Sequence, residues 1–313
     1  MRKSHLCCGF VICAVLAWSG AAFAASPSLG GPSPRGGQRG TEQEVTISGG
    51  NLIDAAEVLF HEPGIEVTKF EVVDNGNIKA TFKIAPDAEN GQHRFRIRTK
   101  TGITDLRTFF VGPLPSVDEK EPNSDFQTPQ PVPMNSTVVG VIDSEDVDYF
   151  VVEAKKGERI TAEVEAWRLG ISMFDVYVAI LNSARFELST SDDSALVYQD
   201  GIASVVAPED GKYIVQIRDS SYGGNGSCLY RTHIGTFPRP MGTVPAGGKP
   251  GETLKMKFVG DVAGTFEQDV TLPGTPSERA SVLAQDANGT APSANYIRIN
   301  DLDNTVEVEP NDT

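Results

Sequence analysis

The chain has few cysteines, and their positions exclude a disulfide-stabilised fold. Of its four cysteines, Cys7, Cys8 and Cys13 fall within the first 24 residues. Only Cys228 follows, so no intrachain disulfide can form once the N-terminal segment is removed. Stability must then come from a buried core, from bound metal or from both. Cys228 is expected to be a small buried hydrophobic residue rather than a reactive thiol.

Long apolar runs are absent beyond the N-terminus. The single long run, Cys7–Trp18, follows Arg2 and Lys3 and precedes the small residues of Ala22–Ala24. This order predicts a signal peptide over residues 1–24, cleaved after Ala24. The run is shorter than the roughly 20 apolar residues that span a bilayer, so we expect no membrane anchor. We expect export through the Sec pathway to the periplasm, the cell surface or the medium.

Positive charge is in deficit. The formal net charge is −15, and loss of Arg2 and Lys3 with the signal peptide makes it about −17. Such a balance argues against nucleic acid and anionic membrane surfaces as partners, whereas it suits divalent cations. The expected partner is an extracellular protein or polysaccharide.

Catalytic motifs are also missing. The sequence has no Gly-x-Ser-x-Gly elbow and no cysteine–histidine pair in a recognisable context. His61-Glu62 is followed by Pro63-Gly64, which breaks the helix that a zinc protease motif requires. His93 is predicted to be exposed and His233 to be half-buried in a strand. These observations predict that the chain is not an enzyme.

A helical period is lacking, and alternating polar and apolar residues dominate instead. Residues 25–36 are rich in Ser, Pro, Gly and Arg and predict a flexible leader. Strand candidates then recur from residue 37, and Asp74–Asn77 predicts a hairpin turn. Residues 37–112 therefore predict a small antiparallel sandwich. The predicted fold class is all-β, built from tandem antiparallel β-sandwiches.

Two further modules follow the first. Residues 113–237 carry strand candidates with turns about every ten residues, as a sandwich or jelly roll requires. Residues 238–304 repeat the first module, because Gly37–Gly49 and Gly248–Gly260 share glycine placement and strand pattern. The acidic opening of the middle module, Glu119–Asn123, recurs near the end of the chain. We therefore expect residues 305–313 to begin a truncated second copy of the middle module.

The middle module resembles the bacterial pre-peptidase C-terminal (PPC) domain. The resemblance covers residues 117–237 and rests on five segments, namely Glu119–Asn123, Asp146–Phe150, Lys156–Ile160, Ala207–Tyr213 and Tyr230–Ile234. It implies a jelly-roll sandwich that accompanies secreted peptidases without being catalytic. Residues 37–112 and 245–300 resemble immunoglobulin-like modules of the IPT/TIG kind. The whole arrangement is similar to exported proteins of planctomycete-type bacteria.

The resemblance also implies a calcium site, because related collagen-binding domains bind calcium through an acidic opening segment and a later acidic turn. The matching positions are Glu119, Glu121, Asn123, Glu145, Asp146 and Asp148. Ser124 departs from the pattern, since an acidic ligand often stands there. Side-chain alternation places Glu119 and Glu121 on one face of an extended segment, and calcium prefers such oxygens. The alternative is a set of separate, solvated charges.

The sequence thus favours an exported, non-catalytic binding, scaffold or adhesion region whose PPC-like module is stabilised by calcium. The alternative function is an N-terminal accessory region of a secreted peptidase or other hydrolase, with its catalytic domain outside this chain.

Overall fold

The computed structural model describes residues 26–305, 307–308 and 310, which form three successive β-sandwiches. Among these residues the only helical segment is a short 3₁₀ turn, Trp167–Leu169, and no helix in the described ranges is long and apolar enough to cross a membrane. The predicted all-β, tandem-sandwich fold is confirmed. The predicted signal peptide lies outside the described residues, as does part of the segment 305–313.

The first module packs two four-stranded sheets, ordered β1-β3-β6-β5 and β2-β8-β7-β4, around an aromatic core. Phe82, Phe95 and Phe109 are fully buried between the sheets, with Phe82 in edge-to-face contact with the other two rings. Its strands are β1 Ser28–Ser33, β2 Gly36–Gln38, β3 Glu42–Gly50, β4 Ala55–Phe60, β5 Ile65–Val72, β6 Asn77–Ile84, β7 Gly91–Thr99 and β8 Arg107–Gly112.

The predicted flexible leader over residues 25–36 is wrong for most of its length. β1 pairs antiparallel with β3, and β2 pairs parallel with β8. Leu29 is buried in the core, which anchors the segment. A Cβ on Gly36 would lie 2.3 Å from the carbonyl oxygen of Phe110. The glycine there permits close backbone approach, so a composition typical of flexibility instead reflects tight packing.

The middle module packs two five-stranded sheets, ordered β10-β12-β17-β14-β15 and β16-β13-β18-β11-β9. Phe150 on one sheet and Ile160 and Val164 on the other are fully buried in the shared core. Its strands are β9 Ser116–Asp118, β10 Gln130–Pro131, β11 Ser136–Val141, β12 Val147–Ala154, β13 Arg159–Glu165, β14 Val176–Asn182, β15 Glu187–Ser191, β16 Ile202–Val206, β17 Gly211–Asp219 and β18 Leu229–Gly235.

The third module shares local geometry with the first. β20 pairs parallel with β26, as β2 does with β8. The turn glycines Gly40 and Gly251 both have positive φ, at 74° and 73°, and they occupy matching places in the sequence repeat. Its strands are β19 Gly242–Val244, β20 Gly247–Gly248, β21 Thr253–Val259, β22 Phe266–Thr271, β23 Ser277–Val282, β24 Gln285–Asp286, β25 Gly289–Thr290 and β26 Asn295–Ile299.

Three single-residue predictions have clear outcomes. Cys228 is a free, buried core residue, as expected. His93 was expected to be exposed, but it is buried, and its Nε2 lies 2.8 Å from the carbonyl oxygen of Glu89. His233 was expected to be half-buried, but it is fully enclosed, with Nδ1 2.8 Å from the Thr137 hydroxyl. Packing between modules covers the face of β18 that carries His233, which sequence alternation alone does not reveal.

Candidate metal centre and intermodule cleft

The opening segment of the middle module is fixed to the sheet that contains β11 and β18. β9 pairs parallel with β11, and the amide of Glu119 extends this pairing to the carbonyl of Val139 at 3.0 Å. The Glu119 carboxylate then folds over the sheet. Its Oε2 accepts from the amide of Val141 at 2.9 Å, and its Oε1 accepts from the Tyr230 hydroxyl at 2.9 Å. A Cβ on Gly140 would lie 2.8 Å from that Oε2, so glycine makes room for the carboxylate.

Asp148 enters the same place from β12. Its side chain is fully buried, and its Oδ2 accepts from the Tyr230 hydroxyl at 2.6 Å. Tyr230 has a single hydroxyl proton, so it cannot donate to Glu119 and Asp148 at once. The Oδ1 of Asp148 has no hydrogen-bond partner. Burial of the carboxyl, reinforced by the hydrogen bond and charge of Glu119, raises the pKa of Asp148 far above its usual range.

Asn123 and Glu121 complete the arrangement. Asn123 is 1% exposed and donates its amide Nδ2 to Glu119 at 3.0 Å, while its Oδ1 is buried without a partner. The Asn123 backbone amide donates to Glu121 at 2.9 Å. Partial burial and the charges of Asp146 and Glu119 raise the pKa of Glu121, against the effect of the Asn123 hydrogen bond.

These residues form what we call the acidic cluster: Glu119, Glu121 and Asp148, with Asn123. One carboxylate oxygen from each acidic residue lies within 4.8 Å of the others. None of the three carboxylates has an ion-pair partner in the part of the chain that the structure describes. Two buried oxygens, on Asn123 and Asp148, lack any partner, although buried polar groups are normally hydrogen-bonded. An all-oxygen, negatively charged set of this kind fits a hard cation such as calcium.

The other two predicted ligands lie outside this cluster. Asp146 caps its own turn, with Oδ1 accepting from the Ser124 hydroxyl at 2.8 Å and from the amide of Val147 at 2.9 Å. Glu145 is exposed and adopts a positive φ of 63°. The structure therefore brings together four of the six predicted residues. Ser124, where the family pattern often has an acid, supports the Asp146 cap.

A second group of buried carboxylates was not predicted from the sequence. Glu163 and Glu165 on β13 are buried, and each is paired with arginine: Glu163 with Arg239 at 2.6 Å and Glu165 with Arg231 at 2.5 Å. Burial alone would raise the pKa of Glu165, but Arg231 and His233 outweigh it and hold that pKa well below its usual range. We call Glu163 and Glu165 the arginine-paired carboxylates. Contacts with another module, such as those of Arg239 and Ser293 with Glu163, help to bury this face of β13.

The pair of Glu163 and Arg239 belongs to an ionic contact between the middle and third modules, whereas Glu165 and Arg231 both lie in the middle module. Arg159 on β13 bonds Asp261 at 2.7 Å and Asp286 at 2.5 Å, and both aspartates belong to the third module. The Ser293 hydroxyl donates to Glu163. On the other side, the Arg231 guanidinium lies 5.7 Å from the ring centroid of Phe110 in the first module. The middle module therefore contacts both neighbours through buried side chains.

A cleft of about 770 Å³ lies where the three modules meet. We define the cleft by residues from each module, which include Glu62, Asp87, Glu89, Asn90, Gln92, Glu165, Arg168, Tyr198, Arg279, Ser293 and Tyr296. No motif in the sequence identified it, because its walls come from segments more than 200 residues apart. Trp167 is exposed near this cleft, with its ring centroid 6.2 Å from that of Tyr198.

Comparison with known proteins gives only distant likenesses. No family model matches the sequence, and no curated protein matches it. The pre-peptidase C-terminal domain of a collagenase from Bacillus anthracis is 15% identical and covers 37% of this chain and 99% of its own, at a TM-score of 0.28. A periplasmic lysozyme inhibitor, PliG, from Aeromonas hydrophila is 14% identical and covers 38% of this chain and 99% of its own, at a TM-score of 0.24. Similarities at these TM-scores do not indicate which ligand this chain binds.

Proposed function

We propose that this chain is an exported, non-catalytic binding or scaffold region whose middle module is held in shape by a calcium ion at the acidic cluster. The observation that carries the proposal is the pair of buried oxygens without partners, Asn123 Oδ1 and Asp148 Oδ1, beside carboxylates without cations. A bound divalent ion would satisfy both oxygens and relieve the repulsion among Glu119, Glu121 and Asp148.

Calcium would tie the opening segment to the sandwich. The segment contributes little apolar surface of its own, and Pro122 and Ser124 on it are exposed. The ion would link Glu119, Glu121 and Asn123 of this segment to Asp148 on β12, which lies in the opposite sheet from β11. In a mature chain without disulfides, such a link would do part of the work of a covalent cross-link.

The remaining parts of the proposal concern context. We infer that the chain is exported through the Sec pathway and is located in the periplasm, at the cell surface or in the medium. Its partner would be an extracellular protein or polysaccharide. The flanking modules would belong to the IPT/TIG kind and the whole chain to the exported proteins of planctomycete-type bacteria. The resemblance of the middle module to PPC domains supports this context, together with the N-terminal charge and hydropathy pattern.

The test is isothermal calorimetry and thermal unfolding of residues 25–313 with calcium and with chelator. We expect saturable binding and a higher midpoint in calcium, because an ion that binds only the folded state stabilises it by about 2.7 kcal/mol at a hundredfold excess over Kd. Glu121→Gln should abolish the shift while leaving the midpoint in chelator nearly unchanged. No heat of binding, with equal midpoints in both conditions, would show that the acidic cluster holds no calcium.

A further inference from the structure

Exposed aromatic side chains gather along one rim of the cleft. Tyr198 of the middle module is 51% exposed and Tyr296 of the third module is 45% exposed. Arg279 lies between them, with its guanidinium carbon 5.3 Å from the Tyr198 ring centroid and 3.8 Å from the Tyr296 ring centroid. Trp167 does not line the cleft itself but lies beside Tyr198. We call Trp167, Tyr198 and Tyr296 the aromatic rim. Its rings are held in place before any ligand arrives, which lowers the entropy lost on binding.

The backbone at Tyr198, whose ring lines the cleft, is in a strained conformation. Its φ of 63° lies in the left-handed region, which is unusual for a bulky residue. The surroundings hold this conformation, because the amide of Ser194 donates to the carbonyl of Tyr198 at 2.9 Å. At the end of the same loop, Asp200 accepts hydrogen bonds from the amides of Ala166 at 3.0 Å and Trp167 at 2.7 Å. Such strain concentrates at sites where a side chain must be aimed at a ligand.

The cleft lining also contains polar side chains, and one of them has unused hydrogen-bonding groups. The Asn90 side-chain amide lines the cleft, and neither its nitrogen nor its oxygen has a partner, although both atoms are buried. A buried amide normally has a hydrogen-bond donor and an acceptor as partners, so the Asn90 amide would gain both from a ligand hydroxyl once its side chain turns into the cleft. Gln92 and Ser293 add further polar groups to the lining.

Most charged side chains that line the cleft are paired within the protein, which favours a neutral ligand. Glu62 is paired with Arg94, Glu165 with Arg231, and Arg168 with Asp200 and Glu163. Asp87 and Glu89 are exposed in the cleft lining and carry two negative charges. Arg279, which stacks on the tyrosine rings, contributes one positive charge. An anionic ligand would therefore meet like charges, and a purely apolar one would leave the Asn90 amide unsatisfied.

From these observations we infer that the cleft binds a neutral oligosaccharide, an inference that rests on the proposed binding function and names its ligand class. A sugar ring has an apolar C–H face and a perimeter of hydroxyls that both donate and accept. The aromatic rim would stack against the face, and Asn90 with Gln92 would bind the hydroxyls. A volume of about 770 Å³ falls within the roughly 300–1,000 Å³ typical of small-molecule sites.

The test is native affinity electrophoresis of residues 25–313 in calcium, in gels that contain hydroxyethylcellulose, galactomannan, xylan or dextran, with alginate as the acidic comparison. We expect at least one neutral polysaccharide to retard the protein and alginate not to do so. Tyr198→Ala and Tyr296→Ala should each weaken that binding about tenfold or more, as loss of a central aromatic contact does. Tyr198→Phe keeps the ring and should retain most of the binding.

Tyr222→Ala is the matched control. Tyr222 is 52% exposed and stacks on Arg218 at 4.5 Å, but it lies outside the cleft. It should leave retardation unchanged, and circular dichroism should show that all variants are folded. Should a Tyr→Ala variant fail to fold, Asn90→Ala replaces it and should also weaken retardation.

Two results overturn the inference. One is the absence of retardation of the wild-type protein in all four neutral gels, or stronger retardation in alginate. The other is retardation that persists unchanged in folded cleft variants, which would keep a binding function but move it to another surface. The calcium proposal is measured separately by calorimetry, so its failure and the failure of the cleft are distinguishable.

Discussion

The middle module buries carboxylates in two ways. The arginine-paired carboxylates, Glu163 and Glu165, are compensated by guanidinium groups within hydrogen-bonding distance. In the acidic cluster, Glu119 and Asp148 have no cation: their hydrogen-bond partners are the hydroxyl of Tyr230, the amide of Asn123, one backbone amide and each other. Burying a charge is costly unless it is paired. The protein itself therefore compensates the negative charge of the arginine-paired carboxylates. The acidic cluster requires a proton or a cation from solution for the same purpose.

The pKa directions express the same difference. Burial would raise the pKa of both Glu165 and Asp148, but only Glu165 has cations near enough to reverse the effect. Loss of an arginine from the arginine-paired carboxylates should therefore destabilise the protein. Loss of a carboxylate from the acidic cluster should instead leave its stability unchanged or increase it when no calcium is present. The following experiments test that contrast, beginning with the largest effect.

Removing an arginine from the first group should cause the largest loss of stability. Arg239→Met leaves Glu163 with a diminished set of partners at the contact between the middle and third modules, and should lower the free energy of unfolding by about 3–5 kcal/mol. Urea denaturation measures it. Arg298→Met, which breaks an exposed pair with Glu278, is the matched control and should cost much less. Equal losses in the two variants would contradict the contrast.

The pH dependence of Glu165 gives the next effect. Its folded pKa lies below the unfolded value, so its stabilising contribution is present above the unfolded pKa and is lost as pH falls. Glu165→Gln removes that contribution. The stability gap between wild type and variant should therefore shrink by about 1.4 kcal/mol per pH unit below about pH 4.5. Urea titrations between pH 6 and pH 3.5 measure the gap, and a constant gap would show that Glu165 titrates normally.

Substitution in the acidic cluster should act in the opposite direction. Asp148→Asn removes a buried carboxyl that needs a proton or a cation, and the amide oxygen still accepts from Tyr230. In chelator the variant should be as stable as wild type or more so, by about 1 kcal/mol, whereas its calcium-dependent shift should vanish. Differential scanning calorimetry in both conditions measures the two effects. A large destabilisation in chelator would mean that the protein already compensates Asp148.

The smallest effect is expected at Glu145, which was predicted as a ligand but is exposed away from the acidic cluster. Glu145→Gln should leave both the chelator midpoint and the calcium shift unchanged. Comparing it with Glu121→Gln under identical conditions separates a ligand from a neighbouring charge. If Glu145→Gln abolishes the shift, the ion lies at the turn rather than beneath the opening segment.

The fold was largely predictable because its strands alternate clearly and are punctuated by turns. The hairpin turn predicted at Asp74–Asn77, for example, joins the antiparallel strands β5 and β6. β15 is hard to recognise from the sequence, because its Ser and Thr residues form a polar edge strand that resembles a loop. β1 was missed because the glycines that permit close packing are also the residues typical of flexible leaders.

The site was only partly predictable, for a different reason. Glu119, Glu121 and Asn123 lie close together in the sequence, and Asp148 was included through the family pattern. The buried pairing of Glu163 and the aromatic rim depend on contacts between modules, and local patterns contain no information about them. Tyr198 and Tyr296 are 98 positions apart in the sequence, and neither is in a motif.

The parallel pairing of β2 with β8 has a mechanical consequence. β2 lies near the start of the first module and β8 at its end, and Gly36 to Gln38 run alongside Phe110 to Gly112 in the same direction. Tension applied through the two ends of the module would pull these strands past each other along their length. Their hydrogen bonds would then be loaded in shear and would have to break together, rather than unzip one at a time. β20 and β26 repeat this arrangement, so tension through the two ends of the third module would load that pairing in shear as well.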